Sequence, residues 1–372
     1  YQPILGNSFC VATLTSARGA EFRLAVPADE ASLVPDGVAV EVRTYAEETG
    51  ECVSTTIPSV REPLADLLRG AGLGAGALVG YEGGQSPVAS YYTQIGVPGP
   101  ATLDLLRELL PGARFRDATG DLHGLAAVKT TDELAWIRRA EDVARIGFGA
   151  AREAIQIGAT EADVAAACYS AMLRAGYALP AVRQVSPHVH VMAGPRSAEA
   201  YKAFNLTSDY AIERGDTVSV QLEVALNGYW AELTRPFFAD VIGDEWRAAH
   251  AACMAAQDAA LAVIRDGVTG RDADAAAREA MRREGFGGAF RRGLGHGFGF
   301  QAINHAAAPI LHPASQQVLR AGMVHNMEPA VYLDGSGGVR LNDNVLVTQD
   351  GNELLSARIP RDLEWLVVKE RE

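Results

Sequence analysis

The sequence feature that most constrains the fold is a strand, a tight turn and a second strand in residues 217–238, TVSVQLEVALNGYWAELTRPFF. Apolar side chains occupy every second position of the first strand, and side chains two apart on a strand share a face. One face is therefore apolar, whereas the other presents Gln221 and Glu223 together. The returning strand adds Glu232 between two apolar residues. Because a buried acid or amide must find a polar partner, this hairpin predicts a polar site.

Later segments carry further polar residues in strand-like surroundings. MVHNMEPAVY places Glu328 in an otherwise apolar strand, and VRLNDNVLV places Arg340 and Asn342 on one face. His296 is flanked by glycines in GLGHGFGF, which indicates close approach of the backbone around a site. We expect these segments to converge on the polar face of the hairpin.

Composition places the chain among ordinary globular proteins, with 372 residues, 48% of them hydrophobic. The net charge of −13 argues against a nucleic-acid-binding surface, which needs clustered Lys and Arg. The sequence has no run of about 18 apolar residues, so no membrane span is expected. Its four cysteines lie far apart without a CxxC pair, which favours reduced thiols and a cytoplasmic location.

Two domains are predicted, residues 1–125 and 126–372. In the first, strand-like pieces such as FRLAVPA and ALVGYEG alternate with helix-like pieces such as PLADLLRGA, which is typical of an α/β domain. The glycine-rich GAGLGAG precedes a strand instead of joining a strand to a helix, so it predicts a turn. In the second, Thr131 or Asp132 can cap the first helix, and paired helices alternate with antiparallel strands. This pattern predicts an α+β fold.

Four segments in this order, GDTVSVQLEVALNGYWAELTR, GLGHGFGF, GMVHNMEPAVY and GGVRLNDNVLVTQDGNELLS, resemble the motifs of the creatinase/aminopeptidase P/prolidase family. The resemblance covers residues 129–370, and the first 125 residues are similar in layout only. It implies a C-terminal pita-bread domain preceded by an α/β creatinase-like N-terminal domain. It also implies a homodimer.

The resemblance further implies where a metal site would lie. Metal-dependent members hold two ions with Asp, Asp, His, Glu and Glu, and the matching positions here carry Gln221, Glu232, His296, Glu328 and Asn342. Two of four carboxylates are thus neutral amides, which bind divalent ions weakly. Even with Glu223 as a substitute ligand, we expect no essential cofactor and at most one weakly bound divalent metal.

Roles follow from the residues that remain. We assign catalysis to His296, as the proton carrier, and to Glu328 and Glu232. Substrate binding is assigned to four residues: His305, Arg340, Tyr201 and Glu223. Of these, His305 best matches a second family histidine, and Tyr201 or Phe204 stands where the family has another. Arg340 is suited to a substrate carboxylate. His188 and His190 share a strand face without a third ligand nearby, and we expect them to line the pocket.

The predicted function is hydrolysis of a C–N bond, amide or amidine, in a small polar substrate without an essential metal. Creatinase is the family precedent for such a reaction. Carboxylates that lack a metal favour a substrate with a guanidinium, amidinium or ammonium group. Two alternatives stay open: a metal-dependent Xaa-Pro dipeptidase or aminopeptidase with altered ligands, acting on dipeptide-like substrates, and a non-catalytic relative that binds a small ligand. Neither a nucleic-acid nor a membrane partner is expected.

Overall fold

The computed structural model describes residues 8–15, 19–46, 50–51, 53–83, 101–202, 207–300 and 307–370. Their backbone falls into two compact units, one before and one after residue 122. Within the described ranges, no helix combines the length and the apolar character that crossing a membrane requires.

The first unit alternates strands with helices. Its strands are β1 (Phe9–Thr15), β2 (Gly19–Pro27), β3 (Glu41–Tyr45), β4 (Leu78–Tyr81) and β5 (Arg114–Asp117), and its helices are α1 (Thr56–Gly70) and α2 (Ala101–Leu109). Strand β2 pairs antiparallel with β1 and parallel with β3, and β4 pairs parallel with β5. Helix α1 buries Val60, Leu64, Leu67 and Leu68, a spacing that gives it one apolar face. Residues 71–76 form turns, as GAGLGAG predicts.

Helix α3 (Thr119–Ala127) leads into the second unit, which contains longer helices and a larger sheet. Its helices are α4 (Thr131–Ala154), α5 (Glu161–Tyr177), α6 (Asp244–Leu261), α7 (Gly270–Arg283) and α8 (Leu363–Leu366). Its strands are β6 (Val185–Ala193), β7 (Thr217–Leu226), β8 (Tyr229–Ala239), β9 (Val324–Met327), β10 (Ala330–Leu333), β11 (Gly337–Arg340), β12 (Asp343–Val347), β13 (Asn352–Leu354) and β14 (Val367–Val368). The sheets have the orders β14-β8-β7-β6, β13-β12-β9 and β10-β11.

The β7–β8 hairpin is the predicted one. Asn227 and Gly228 form its turn with positive φ angles of 50° and 88°, the conformation for which Asn-Gly is favoured in two-residue hairpin loops. Helix α4 packs on the apolar face of β7, where Gly147 permits close approach: a Cβ there would lie 2.8 Å from Leu222 and from Met172. With its apolar face covered by α4, the hairpin presents Gln221 and Glu223 on the opposite side.

The N-cap of helix α4 lies one residue before Thr131 and two before Asp132, the two predicted caps. Thr130, and not Thr131 or Asp132, is the N-cap: its hydroxyl accepts the Glu133 backbone N–H at 3.3 Å. The Glu133 carboxylate in turn accepts the Thr130 backbone N–H at 2.8 Å. A capping box needs its capping hydroxyl three positions before the glutamate. Thr130 stands at that distance from Glu133, whereas Thr131 and Asp132 are too close.

The cysteines in the described ranges are free thiols. Cys168 and Cys253 are buried, and burial raises the pKa of each to about 12, so both stay protonated. Cys10 is exposed, and Cys52 lies outside the described residues.

Candidate functional site

Polar side chains form two adjacent rows across β6, β7 and β8. The strand register gives the rows His190–Gln221–Thr234 and His188–Glu223–Glu232. The second row therefore places two buried carboxylates, Glu223 and Glu232, directly opposite each other, an arrangement that is unfavourable unless other groups compensate. The neighbouring side chains supply that compensation.

Glu232 receives two amide groups and faces one imidazole. Its Oε1 accepts the side-chain amides of Gln221 at 3.5 Å and Asn342 at 3.4 Å. Its Oε2 lies 3.5 Å from Nε2 of His296. Asn342 reaches this position because its backbone exchanges hydrogen bonds with that of Thr234, which attaches the segment between β11 and β12 to strand β8.

The orientation of Gln221 is determined by Arg340. The Arg340 guanidinium donates to Oε1 of Gln221, and because arginine can only donate, the amide nitrogen of Gln221 must point the other way. That nitrogen donates to Oε1 of Glu223 at 2.6 Å. Gln221 thus connects a cation with two carboxylates.

Arg340 also pairs with Glu328, whose Oε2 lies 3.6 Å from Nη1. Burial opposes the charge of Arg340, but its neighbours together, Tyr332, Glu328, Glu232 and Glu223, outweigh burial and raise its pKa, so the guanidinium is charged. Sequence reasoning assigned Arg340 to a substrate carboxylate. In the structure its guanidinium contacts Gln221 and Glu328, and the assigned role stays a prediction.

His296 lies in the segment between α7 and β9, and its backbone has little room. A Cβ at Gly295 would collide with the backbone oxygen of Asn326, and one at Gly297 with that of Ala308. The glycines of GHG are therefore required by close approach, as the sequence indicates. Burial is the main cause that lowers the pKa of His296, and the imidazole is neutral at neutral pH.

Of the residues assigned to substrate binding, the structure describes some and not others. The Tyr201 ring packs against Tyr332, with centroids 5.3 Å apart, and Arg291 lies 4.8 Å above it. Glu223 is fully buried, with Nε2 of His190 at 3.9 Å from its Oε1. His305 and Phe204 lie outside the described residues.

On strand β6, His188 stacks on Trp230 with centroids 5.5 Å apart. Its cross-strand neighbour is Glu223, and that of His190 is Gln221. The two histidines therefore border the carboxylates, in keeping with the expectation that they line the site.

Sequence reasoning missed Asn326. Its side chain accepts the His296 backbone N–H at 2.7 Å and approaches Nε2 of His296 at 3.2 Å. The available signal was a further polar residue, two positions before Glu328 on the same strand-like segment MVHNME. That signal did not reveal the partner, which lies 30 residues earlier.

The residues at the matched positions do not fit a pair of divalent ions. The side-chain nitrogens of Gln221 and Asn342 point at Glu232. An amide nitrogen carries hydrogens and offers no lone pair to a metal, whereas an amide that binds a metal ion presents its oxygen to the ion. The Gln221 oxygen is taken by Arg340. Over the described ranges, no three His, Cys, Asp or Glu side chains come together as a metal-holding group.

Comparison with known proteins connects this site to a family. The model of metallopeptidase family M24 matches residues 135–349. The Xaa-Pro dipeptidase of Pyrococcus furiosus is 31% identical over 242 residues, which are 65% of this chain and 66% of that protein. The alignment thus spans just under two thirds of that relative.

Solved structures extend the likeness over nearly the whole chain. The Xaa-Pro dipeptidase from Bacillus anthracis is 26% identical with a TM-score of 0.74, covering 98% of this chain and 90% of that one. The prolidase from Pyrococcus furiosus is 25% identical with a TM-score of 0.71, covering 90% and 87%. The predicted two-domain α+β fold is confirmed.

Proposed function

The chain belongs to metallopeptidase family M24, and we propose that it is a hydrolase that cleaves a C–N bond, amide or amidine, in a small polar substrate without an essential metal. The family resemblance drawn from the four sequence segments is thereby confirmed. The observation that carries the finer proposal is the direction of the Gln221 amide, which Arg340 fixes: its nitrogen donates to Glu223 at 2.6 Å and lies 3.5 Å from Glu232, where a metal ligand would present oxygen.

The charge of the cluster supports a cationic substrate. Three carboxylates, Glu223, Glu232 and Glu328, face one guanidinium, that of Arg340, and the neutral amides add no charge. A guanidinium, amidinium or ammonium group forms strong charge-assisted hydrogen bonds with carboxylates, so a cluster rich in carboxylates favours a cationic substrate. Glu328, whose side chain is 17% exposed, is the more accessible partner for such a group.

The proposed reaction uses His296 as the base. A water molecule attacks the carbonyl or amidine carbon, and Nε2 of His296 takes its proton as the C–O bond forms. Oε2 of Glu232, at 3.5 Å, stabilises the resulting imidazolium. The imidazolium then gives the proton to the leaving nitrogen as the C–N bond breaks, which returns His296 to its neutral form.

The test combines metal analysis with an activity screen. The purified protein is analysed for bound metal and assayed, with and without a chelator, on amides and amidines that carry an ammonium or guanidinium group. We expect turnover that survives chelation and that falls by about 10²-fold or more in His296→Gln. His123→Gln, at an exposed histidine, is the matched control and keeps full turnover.

The names of the relatives favour a second candidate, a metal-dependent Xaa-Pro dipeptidase. Xaa-Pro dipeptides are therefore assayed in parallel with added manganese. Two tightly bound ions together with manganese-stimulated cleavage would replace the first proposal by this one. Ligand binding that survives the double change His296→Gln and Glu328→Gln, without turnover of any compound, would indicate a non-catalytic protein. The cytoplasmic location and the homodimer stay predictions of the sequence.

A further inference from the structure

Asn326 is a fully buried residue of strand β9, and it contacts His296 in three ways. Its backbone N–H donates to the His296 carbonyl at 2.9 Å, and its Oδ1 accepts the His296 backbone N–H at 2.7 Å. Its Nδ2 lies 3.2 Å from Nε2 of the His296 ring. One side chain therefore holds both the backbone and the ring of the histidine.

The first side-chain contact fixes which way the Asn326 amide points. A backbone N–H can only donate, so the atom that faces it must be the amide oxygen. If the amide were turned over, two donors would meet at 2.7 Å. The amide nitrogen therefore faces the imidazole. This follows from the hydrogen bond alone, since the oxygen and nitrogen of an amide have nearly the same shape.

The same reasoning fixes the hydrogen on the ring. Nδ1 of His296 lies 3.1 Å from the carbonyl oxygen of Gly297, which can only accept, so Nδ1 carries a hydrogen. Nε2 lies closer to a donor, the Asn326 amide nitrogen at 3.2 Å, than to an acceptor, Oε2 of Glu232 at 3.5 Å, and a neutral ring with hydrogen on Nδ1 has only a lone pair at Nε2. Burial, which disfavours the charged imidazolium, acts in the same direction.

We propose that Asn326 is a positioning residue that holds His296 in the tautomer with hydrogen on Nδ1, so that Nε2 begins the reaction as a proton acceptor. This inference rests on the proposed function for its catalytic meaning, since it makes His296 a base. Its structural part, the tautomer, holds in the free protein and needs no substrate.

Nuclear magnetic resonance on protein labelled with 15N at its histidines tests the tautomer directly. The chain has eight histidines, and the His296 signals are those lost in His296→Gln. We expect a pyridine-type shift for Nε2 and a pyrrole-type shift for Nδ1 at neutral pH. A pyrrole-type Nε2 in the unmodified protein would overturn the proposal.

Asn326→Asp is the diagnostic variant because aspartate has nearly the same shape. One carboxylate oxygen still accepts the His296 backbone N–H, while the other now accepts a hydrogen from Nε2. We expect Nε2 to become protonated and kcat to fall by about 10²-fold, with KM changed by less than about threefold. An unchanged Nε2 signal in this variant would show that Asn326 merely supports the backbone.

Asn227→Asp is the matched control. Asn227 also accepts backbone N–H groups through Oδ1, but it lies in the hairpin turn, and its change leaves the His296 signals as they were. If Asn326→Asp does not fold, Asn326→Ser replaces it and is expected to show a mixture of both tautomers. If the tautomer is as proposed but no compound is turned over, the positioning inference stands and the proposed function fails.

Discussion

Two buried arginines on neighbouring strands show how a structural charge differs from a charge in a site. Arg235, on β8, donates five hydrogen bonds: four to main-chain carbonyls and one to the Asp343 carboxylate at 2.6 Å. Arg340, at the end of β11, contacts Gln221 and Glu328, and its Nε has no hydrogen-bond partner among the described residues. The first guanidinium is saturated, and the second is not.

The different hydrogen bonding of Arg235 and Arg340 separates a part of the fold that is held by internal contacts from a part that can bind a ligand. A saturated guanidinium joins β8 to the segment around Asp343 and has no donor left for another molecule. An unsaturated one has a cost in stability, because a buried polar atom without a partner is unfavourable. Such a cost is expected at a functional site, where the missing partner comes with the substrate.

The largest expected effect is on the saturated arginine. Arg235→Gln leaves Asp343 buried without its cation, and we expect the free energy of unfolding to fall by about 3–5 kcal/mol. Arg340→Gln is the matched comparison and should lower it by less while reducing turnover, because the side chain of its partner Glu328 is 17% exposed and is partly hydrated. Urea denaturation followed by circular dichroism measures both. Equal losses in the two variants would break the distinction between the arginines.

Two buried glutamates, Glu161 and Glu141, differ in the same way as the two arginines: the first has many hydrogen-bond partners and the second has few. Glu161 accepts N–H or O–H groups from Ala193, Arg196 and Ser208. Glu141 has the Asn344 amide as its partner, and its Oε2 has none among the described residues. Burial above all, helped by Asp343, raises the pKa of Glu141 to about 8 against the opposing effects of the Asn344 hydrogen bond and of Arg235.

The second prediction uses the pH dependence of Glu141. An unfolded glutamate loses its proton near its ordinary pKa of about 4.5, whereas the folded one keeps it to about 8. Its stabilising contribution is therefore complete below pH 4.5 and is lost as pH rises to about 8. The Glu141→Gln side chain is neutral at every pH and can pair with Asn344. The free energy of unfolding of this variant should therefore exceed that of the unmodified protein by an amount that grows with pH, to at most about 4 kcal/mol.

Thermal unfolding at pH 5 and pH 8 measures this growth. Glu161→Gln is the control, because it loses a carboxylate that its donors saturate, and it should be less stable than the unmodified protein at pH 8. A constant difference between Glu141→Gln and the unmodified protein at both pH values would mean that Glu141 is ionised in the fold.

The smallest expected effect concerns the site itself. Glu232 lies opposite Glu223, and the two like charges oppose folding. Glu232→Gln should raise the free energy of unfolding by up to about 1 kcal/mol and abolish turnover, since the imidazolium loses its anion. Urea denaturation and the chelator-resistant assay give the two readouts. A clear fall in the free energy of unfolding would show instead that Glu232, like Glu161, is stabilised by its hydrogen-bond donors.

Local patterns predicted much of this arrangement. The period-2 alternation and the Asn-Gly turn predicted the β7–β8 hairpin and the common face of Gln221 and Glu223, because both depend on neighbours along the chain. The cap of α4 was placed one or two residues late, at Thr131 or Asp132, since the capping box depends on Glu133 as well as on the cap. The contacts of Asn326 could not be predicted, because its partner lies 30 residues away.

The amino-acid sequence specifies which chemical groups are present: amides at two positions where the family resemblance implies acids, a histidine between glycines, and a net excess of carboxylates. The direction in which each group faces depends on contacts between segments that are distant in the chain. The Gln221 amide turns its nitrogen inward because Arg340 arrives from β11, and His296 presents its lone pair because Asn326 arrives from β9. A hydrogen bond has a direction, and that direction depends on partners that only folding brings together.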